Sequence, residues 1–253
     1  MLNAGGAANQ VIYDAFVAGD LAGLQIFLEA WILEGRPSLE HCLYAILNHP
    51  HSINIKDFYP FIKALADAGV SLETRIGHGT TPLLMCPRVT NLFDAFLKAG
   101  ADRNTTDCDG RGVLHCFVFY DDYPEGGRTT QRSRKRFEMG FDPLITDNGG
   151  NNLLHLALPR SHQYIPISES HGPDSIAFLR ALAECGLSAR ARNSNGMTPL
   201  HCWFLSADHP NTPRPEYLDQ LSLEQTGDGI DINAQDAHGA TALQLLVPTA
   251  SLH

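Results

Sequence analysis

Apolar residues cluster along the chain in short helical stretches, and several of these stretches end on a glycine. Examples are NLFDAFLKAG, which ends at Gly100, and SIAFLRALAECG, which ends at Gly186. A glycine just past a helix supplies the left-handed residue that closes it, so each stretch predicts a helix that stops there. In four places, an Asp or Asn further on is followed three residues later by a second glycine. This spacing predicts a tight turn, because Asp and Asn bond their own backbone and glycine permits positive φ.

These elements recur at a fixed spacing. Five four-residue segments recur along the chain, and each begins twelve residues after the glycine that closes the preceding helix. The glycines are Gly69, Gly100, Gly140, Gly186 and Gly229, and the segments begin at Thr81, Gly112, Asn152, Thr198 and Thr241. The distance from each segment to the next closing glycine is not constant. The pattern therefore indicates a repeat in which one part has a fixed length and the other accepts insertions.

One repeat carries a recognisable tetrapeptide. In NSNGMTPLH, Asn193–His201, threonine is the predicted helix cap and proline the first helical residue. The unit resembles the ankyrin repeat, which has about 33 residues, a β-turn, two antiparallel helices and a T-P-L-H start. The resemblance extends from about Leu72 to Leu246, although only the repeat at Thr198 has the full tetrapeptide. It implies an all-α fold, an ankyrin-repeat solenoid of stacked helix pairs with β-turn fingers.

The two ends of the chain follow the pattern less closely. Stretches that close at Gly35 and Gly69 each indicate a helix pair without the turn. Residues 1–71 are expected to form two degenerate N-terminal repeats, the first of them a cap, and residues 72–253 to form ankyrin repeats with insertions. After ATALQLLV the pattern stops before an outer helix. The last repeat is therefore either a half-repeat cap or the sequence is a fragment of a longer protein.

We call the five four-residue segments helix-start segments. Three of them end on a histidine: His115, His155 and His201. In the ankyrin family, the T-P-L-H histidine bonds backbone groups of the neighbouring turn, and the resemblance implies the same role here. A row of histidines could also suggest a metal site. Neighbouring repeats would hold these three too far apart for one ion, and no acidic residue stands at a constant offset, so no metal is expected there.

The resemblance also implies a binding surface, because partners of ankyrin proteins usually contact turn tips and inner-helix ends on the concave face. Carried over by position, the tips give His78, Asp109, Arg111, Asn148, Asn151, Asn195, Met197 and His238, and the inner-helix ends give Phe119 and Tyr120. Exposed aromatics and arginine are typical anchors of protein interfaces. The family prefers alanine where Phe117 and Trp203 stand, so these bulky residues are expected to tilt their repeats.

Insertions in three successive repeats form a second candidate region. The stretches 120–127, 159–173 and 205–215 contain proline or glycine and are expected to form a ridge of loops. Its polar side chains are Asp121, Asp122, Tyr123, His162, Tyr164, His171, Asp208 and His209. They could hold zinc or act as acids and bases, or they could reflect only the polar composition of loops.

A basic run, RTTQRSRKR from Arg128 to Arg136, is predicted to begin an outer helix. It could dock an acidic partner, bind phosphate or direct nuclear import, or it could be a solvated convex face.

Composition limits the class of protein, the partners and the location that can be expected. The chain has 43% hydrophobic residues and a net charge of −10, which fits a soluble globular protein and makes nucleic-acid binding unexpected. No apolar run reaches the roughly 18 residues of a membrane span, and the N-terminus lacks the pattern of a secretory signal. Six cysteines without a C-x-x-C pair are expected to be reduced thiols in an intracellular protein, cytoplasmic or nuclear.

The sequence predicts a monomeric, non-catalytic scaffold that binds a protein partner and needs no cofactor. No catalytic motif is present, since G-x-S-x-G, G-x-x-x-x-G-K-[ST] and H-E-x-x-H are all absent. The alternative is an enzyme or metal-binding protein that uses the ridge of insertions or the concave groove as its site, because a fold alone does not exclude this.

Overall fold

Helices joined by tight turns make up the chain in the computed structural model. It describes residues 4–33, 43, 46–47, 53, 55–86, 90–120, 139–160, 181–205 and 230–246. Within these ranges there is no strand, and the only pairing of extended backbone is two isolated bridges, Ile76 to Thr80 and Gln235 to Thr241. The predicted all-α class is confirmed. The chain divides into two compact units, an N-terminal unit, Met1–Cys108, and a C-terminal unit, Asp109–His253.

The N-terminal unit begins with a helix pair, α1 (Ala4–Ala18) and α2 (Leu21–Leu33). Both helices lie in the N-terminal stretch that the sequence pattern closes at Gly35. Gly19 turns the chain at a φ of +67°, and Asp20 Oδ1 accepts the N–H of Gly23 at 2.8 Å, which caps α2. The buried stripe of α2, Leu24, Leu28 and Trp31, has the spacing of one helix face.

Three further helices complete the described part of this unit: α3 (Tyr59–Asp67), α4 (Pro82–Met85) and α5 (Thr90–Lys98). The ring centroids of Phe16 and Phe61 lie 5.0 Å apart, so α1 packs against α3. Phe93 and Phe96 place α5 in the same core, since each is at most 1% exposed. The predicted closing glycine Gly35 lies outside the described residues.

The C-terminal unit contains α6 (Val113–Tyr120), α7 (Leu153–Arg160), α8 (Pro199–Leu205) and α9 (Ala242–Leu246). Each begins directly after the first residue of a predicted helix-start segment, so the predicted starts are confirmed. These inner helices stack in order, α6 on α7, α7 on α8 and α8 on α9. Phe117 and Trp203, where the family prefers alanine, are both buried between them.

The predicted insertions begin slightly too early. Residues 159–160 and Leu205 fall in stretches expected to be loops, but they are the last residues of α7 and α8. Tyr120, which was expected at an inner-helix end, is the last residue of α6. Helix ends vary by one or two residues, and a proline in a last turn removes only one of the helix's hydrogen bonds. The rest of the ridge and the basic run Arg128–Arg136 lie outside the described residues.

Candidate functional site

Three turns of the C-terminal unit are closed by the same side-chain geometry. Oδ1 of Asp147 accepts the N–H groups of Gly149 (2.9 Å) and Asn151 (2.8 Å). Asn193 and Asp236 do the same for the residues two and four positions further on, at 2.8 to 3.0 Å. The backbone hydrogen bond from Ala240 lowers the pKa of Asp236. The turns predicted from the Asp/Asn and Gly spacing are confirmed.

Neighbouring turns are joined at their tips by one backbone hydrogen bond each, and we call this series the turn ladder. In every case the residue before the turn glycine accepts a bond from the next repeat. The pairs are His78 O with Cys108 N (3.3 Å), Asp109 O with Asn148 N (2.8 Å), Gly149 O with Ser194 N (2.9 Å) and Asn195 O with Ala237 N (3.0 Å). The first bond lies within the N-terminal unit and the other three within the C-terminal unit. The ladder fixes the spacing of the exposed side chains on successive tips.

The three histidines join each inner helix to the next turn. Nε2 of His115, His155 and His201 lies 3.1 to 3.2 Å from the carbonyl oxygens of Asn151, Met197 and Ala240. Nδ1 of each ring accepts the N–H of the first residue of its own segment, at 3.2 to 3.3 Å. All three rings are at most 1% exposed. A neutral ring with its proton on Nε2 satisfies both bonds, and the structural role implied by the resemblance is confirmed.

The threonine cap predicted at Thr198 differs from the observed geometry. The hydroxyl of Thr198 bonds the ring of His201 at 2.8 Å rather than the helix backbone. Thr81 begins the equivalent segment of the N-terminal unit, but Leu84 stands where the histidine would be. The hydroxyl of Thr81 is buried and has no hydrogen-bond partner in the described part of the chain. In these two segments, the threonine hydroxyl therefore has a hydrogen-bond partner only where a histidine stands three residues later.

Two arginines that the sequence pattern did not single out also join repeats. Nη1 of Arg75 donates to the carbonyls of Gly79 and Thr106, both at 2.7 Å. Nη1 of Arg192 donates to Gly196 at 2.9 Å and to Gln235. Both arginines directly precede the first residue of their turn. The same residue type at the same register in two repeats was a signal that could have identified them.

The predicted binding residues lie on turns and inner helices, as expected, with differing exposure. His78 in the N-terminal unit and Asp109, Asn148, Asn195 and His238 in the C-terminal unit have exposed side chains. Phe119 and Tyr120 lie in the last turn of α6, and the structure describes their backbone alone.

The other predicted side chains are partly covered. Arg111 pairs with the carboxylate of Asp109 and is 26% exposed, and Met197 is half-buried. The amide of Asn151 donates to both carboxylate oxygens of Asp147 and accepts from Asn193 at 2.9 Å. Its described side-chain contacts thus belong to the turns, while its assignment to a partner-binding surface stays a prediction.

Two observations on the described ranges concern candidate metal ligands and thiol nucleophiles. They contain no group of three or more His, Cys, Asp or Glu side chains that could hold an ion. Burial raises the pKa of the Cys86 thiol well above its usual value and that of Cys202 to about 11, so both are protonated at neutral pH.

As for membranes, no helix in the described part of the chain is long and apolar enough to cross one.

Comparison with known proteins supports the repeat pattern. No family model matches the chain. The chain is 24% identical to NF-kappa-B inhibitor zeta of Mus musculus over 247 residues, which cover 92% of this chain and 30% of that protein. It therefore spans less than a third of that relative's length.

A solved structure is similar along nearly the whole chain. It is the crystal structure of the ankyrin repeat domain of Bcl-3, described as a unique member of the IkappaB protein family. The TM-score is 0.60 at 17% sequence identity, and the likeness covers 93% of this chain and 92% of that one. Together with the helix starts, the closed turns and the histidine bonds, this likeness shows that the chain has the ankyrin-repeat fold.

Proposed function

We propose that this chain is a protein-interaction scaffold that binds a protein partner through turn tips and inner-helix ends of its C-terminal unit. The observation that carries the proposal is the turn ladder, which presents a row of exposed polar side chains on an ordered backbone. Ordered groups lose little conformational entropy on binding, so their contacts translate into affinity. One relative is named as an inhibitor of NF-kappa-B, which supports binding rather than catalysis.

The centre of the proposed surface comprises Asp109, Arg111, Tyr120 and Asn148. Arg111 pairs with the exposed carboxylate of Asp109. Its planar guanidinium can also form two parallel hydrogen bonds to a carboxylate of a partner. Asn148 adds an amide that can donate and accept. Tyr120, at the end of α6, offers a large area with few rotamers. Such residues concentrate binding energy at the centre of an interface.

The proposal includes further properties of the chain. The net charge of −10 disfavours a nucleic-acid partner. The sequence has six cysteines and no C-x-x-C pair, which supports an intracellular location. We propose that the chain binds its partner as a monomer and without a cofactor.

Titration of variants against a partner recovered by pull-down tests this surface. Arg111→Ala and Tyr120→Ala are each expected to weaken binding by about 1–3 kcal/mol without unfolding the chain. Arg190→Ala is the matched control, because Arg190 is an exposed arginine of the same unit outside the proposed surface.

Neutralising Arg134, Lys135 and Arg136 together should matter less, and mainly at low salt, because salt screens charge interactions that act over a distance. If that triple variant or Arg190→Ala loses binding while Arg111→Ala and Tyr120→Ala retain it, the surface is wrongly placed.

A further inference from the structure

Two arginines of the chain fill equivalent sites between neighbouring turns. Nη1 of Arg75 and Nη1 of Arg192 each donate to two carbonyl oxygens, which we call a carbonyl pair. One oxygen belongs to the turn glycine four residues after the arginine, and the other belongs to the residue directly before the next turn. Both arginines are exposed, so each carbonyl pair binds its guanidinium at the surface.

A third carbonyl pair, in the C-terminal unit, has no arginine at the bridging position. It consists of the carbonyl oxygens of Gly150 and Arg192. Thr146 stands where the two bridging arginines stand, directly before the first residue of its turn, and is exposed. No residue in the described part of the chain donates a hydrogen bond to either carbonyl. The guanidinium of Arg192 itself is held by the following carbonyl pair.

The backbone around the third pair has the same geometry as around the two bridged pairs. Gly150 has a φ of +73°, compared with +73° at Gly79 and +70° at Gly196. A Cβ at Gly150 would lie 3.0 Å from the backbone nitrogen of Ser194 in the next turn. The corresponding distances are 3.3 Å at Gly79 and 2.8 Å at Gly196. The turns are therefore equally close, and the third pair is positioned to accept a guanidinium in the same way.

An exposed leucine distinguishes the repeat of Thr146 from the others. Asp142 Oδ1 accepts the N–H of Leu144 at 2.8 Å, and a Ser or Asp side chain makes the same bond in four other repeats. Leu144 is 56% exposed. Its Cα can lie at most about 7 Å from that of Thr146. The equivalent residues of the other repeats are all polar: Glu73, Asn104, Arg190 and Asn233.

These features together indicate the chemistry of a ligand. A guanidinium presents N–H donors in a fixed plane, and its charge strengthens hydrogen bonds to carbonyl oxygens. The stretch 139–151 contains Asp142 and Asp147 and no lysine or arginine, which also favours a cation. Leu144 favours an apolar side chain next to that cation, because covering it removes apolar surface from water.

We propose that the third carbonyl pair and Leu144 bind an arginine of a partner protein that has an apolar residue beside that arginine. The guanidinium donates to the carbonyls of Gly150 and Arg192, and the apolar residue covers Leu144. This proposal rests on the scaffold function proposed above and adds the chemistry of one contact with the partner.

The first test supplies the guanidinium from the chain itself. Thr146→Arg is expected to raise the melting temperature by about 2–4 °C, and Arg192→Thr to lower it by a similar amount. Asn233→Arg is the matched control, because Asn233 is exposed and its position carries an arginine, Arg190, in the preceding repeat. It should change the melting temperature by less than about 2 °C.

The second test is an NMR titration of the full chain with a synthetic peptide that contains one arginine flanked by leucines. Replacing the peptide arginine with norleucine should weaken binding about tenfold, and so should Thr146→Arg in the chain, whose own guanidinium fills the site. Leu144→Gln should weaken binding about threefold. Asn233→Arg, which adds the same charge elsewhere in the unit, should leave it within about twofold of the parent chain.

Three results would overturn the proposal: equal binding of the arginine and norleucine peptides, equal peptide binding by the parent chain and Thr146→Arg, or a Thr146→Arg chain that is no more stable than the parent. Equal weakening by Thr146→Arg and Asn233→Arg would also overturn it, because general charge repulsion would then explain the loss. The peptide titration needs no recovered partner, so this site and the turn-tip surface can fail separately.

Discussion

The hydrogen bonding of a buried threonine hydroxyl depends on which residue stands three positions later. Thr81 and Thr198 begin equivalent segments and are both buried, but only Thr198 has a histidine to bond. A buried polar group without a partner keeps its desolvation penalty, whereas a bonded one contributes about 1 kcal/mol net. The same residue type is therefore unfavourable in one repeat and stabilising in another.

Replacing each threonine with valine tests this difference. Thr81→Val should leave the free energy of unfolding unchanged or raise it by up to about 1 kcal/mol, because an unsatisfied hydroxyl is removed. Thr198→Val should lower it by about 1 kcal/mol, because the bond to His201 is lost. Urea denaturation of the two variants and the parent measures both. An equal loss at both positions would mean that the Thr81 hydroxyl is satisfied.

His155 makes stability depend on pH. Burial lowers the pKa of His155 below the usual histidine value of about 6.5, and the bond to the Met197 carbonyl offsets part of this effect. The unfolded ring then binds more protons than the folded ring between the two pKa values. The contribution of His155 is fully present above about pH 6.5 and is lost as the pH falls towards the folded pKa.

Denaturation at several pH values between about 7 and 5 should show this loss. The effect should be small, because Oδ1 of Asn152 lies 2.7 Å from Nδ1 and can accept a hydrogen bond from the protonated ring. His155→Gln should reduce the pH dependence in this window, since glutamine keeps a donor for the Met197 carbonyl but does not titrate. A parent chain whose stability rises on acidification in this window contradicts the prediction.

At the scale of the elements, the turns were the most predictable part. Asp, Asn and Gly have local conformational effects, so their spacing was enough to place the turns and the helix starts. The contacts of Arg75 and Arg192 could not be predicted in this way. Each reaches a carbonyl 31 or 43 positions away, in the next repeat, and nothing local to the arginine indicates that carbonyl.

Substitutions at two turn glycines allow the cost of backbone strain to be distinguished from the cost of a clash between neighbouring turns. Gly196 and Gly239 are equivalent and have φ values of +70° and +79°. A Cβ at Gly196 would lie 2.8 Å from the nitrogen of Ala237, whereas a Cβ at Gly239 would meet no described atom within 4 Å.

Gly239→Ala should therefore destabilise the chain by about 1–2 kcal/mol, through left-handed strain alone. Gly196→Ala should destabilise it by about 1–3 kcal/mol more, because the turn ladder must also shift. Thermal or urea unfolding of the two variants provides the comparison, and equal losses would indicate that the turns can move apart freely.

For the whole molecule, the repeat pattern indicated a repeated local unit, and the resemblance of that unit to the ankyrin repeat implied both the fold and the structural role of the three histidines. The exposure of the predicted binding residues was harder to predict, since it depends at each position on the neighbouring repeat. Asn151 illustrates this, because its amide is bonded to Asp147 and Asn193. Leu243 illustrates the reverse, because a residue with the pattern of a core leucine is exposed.

Stability and recognition should be separable in this molecule. His201→Ala is expected to lower the free energy of unfolding by about 1–3 kcal/mol, because buried bonding groups lose their partner. Below its melting temperature, the variant should bind a protein partner as the parent does, because the ring is buried. His238→Ala, at an exposed histidine, is the control for stability. If His201→Ala melts like the parent but loses binding, His201 belongs to the binding surface.

The side-chain hydrogen bonds between neighbouring repeats span short stretches of sequence, 29 positions from Glu73 to Asp102 and 43 from Arg192 to Gln235. Each repeat can therefore make these bonds as soon as the following few dozen residues are available. Folding that depends on such short-range closure is fast and can begin on the ribosome, one repeat at a time, in the order of synthesis. A slow-codon stretch within one repeat should then delay the docking of that repeat but leave the earlier ones already folded.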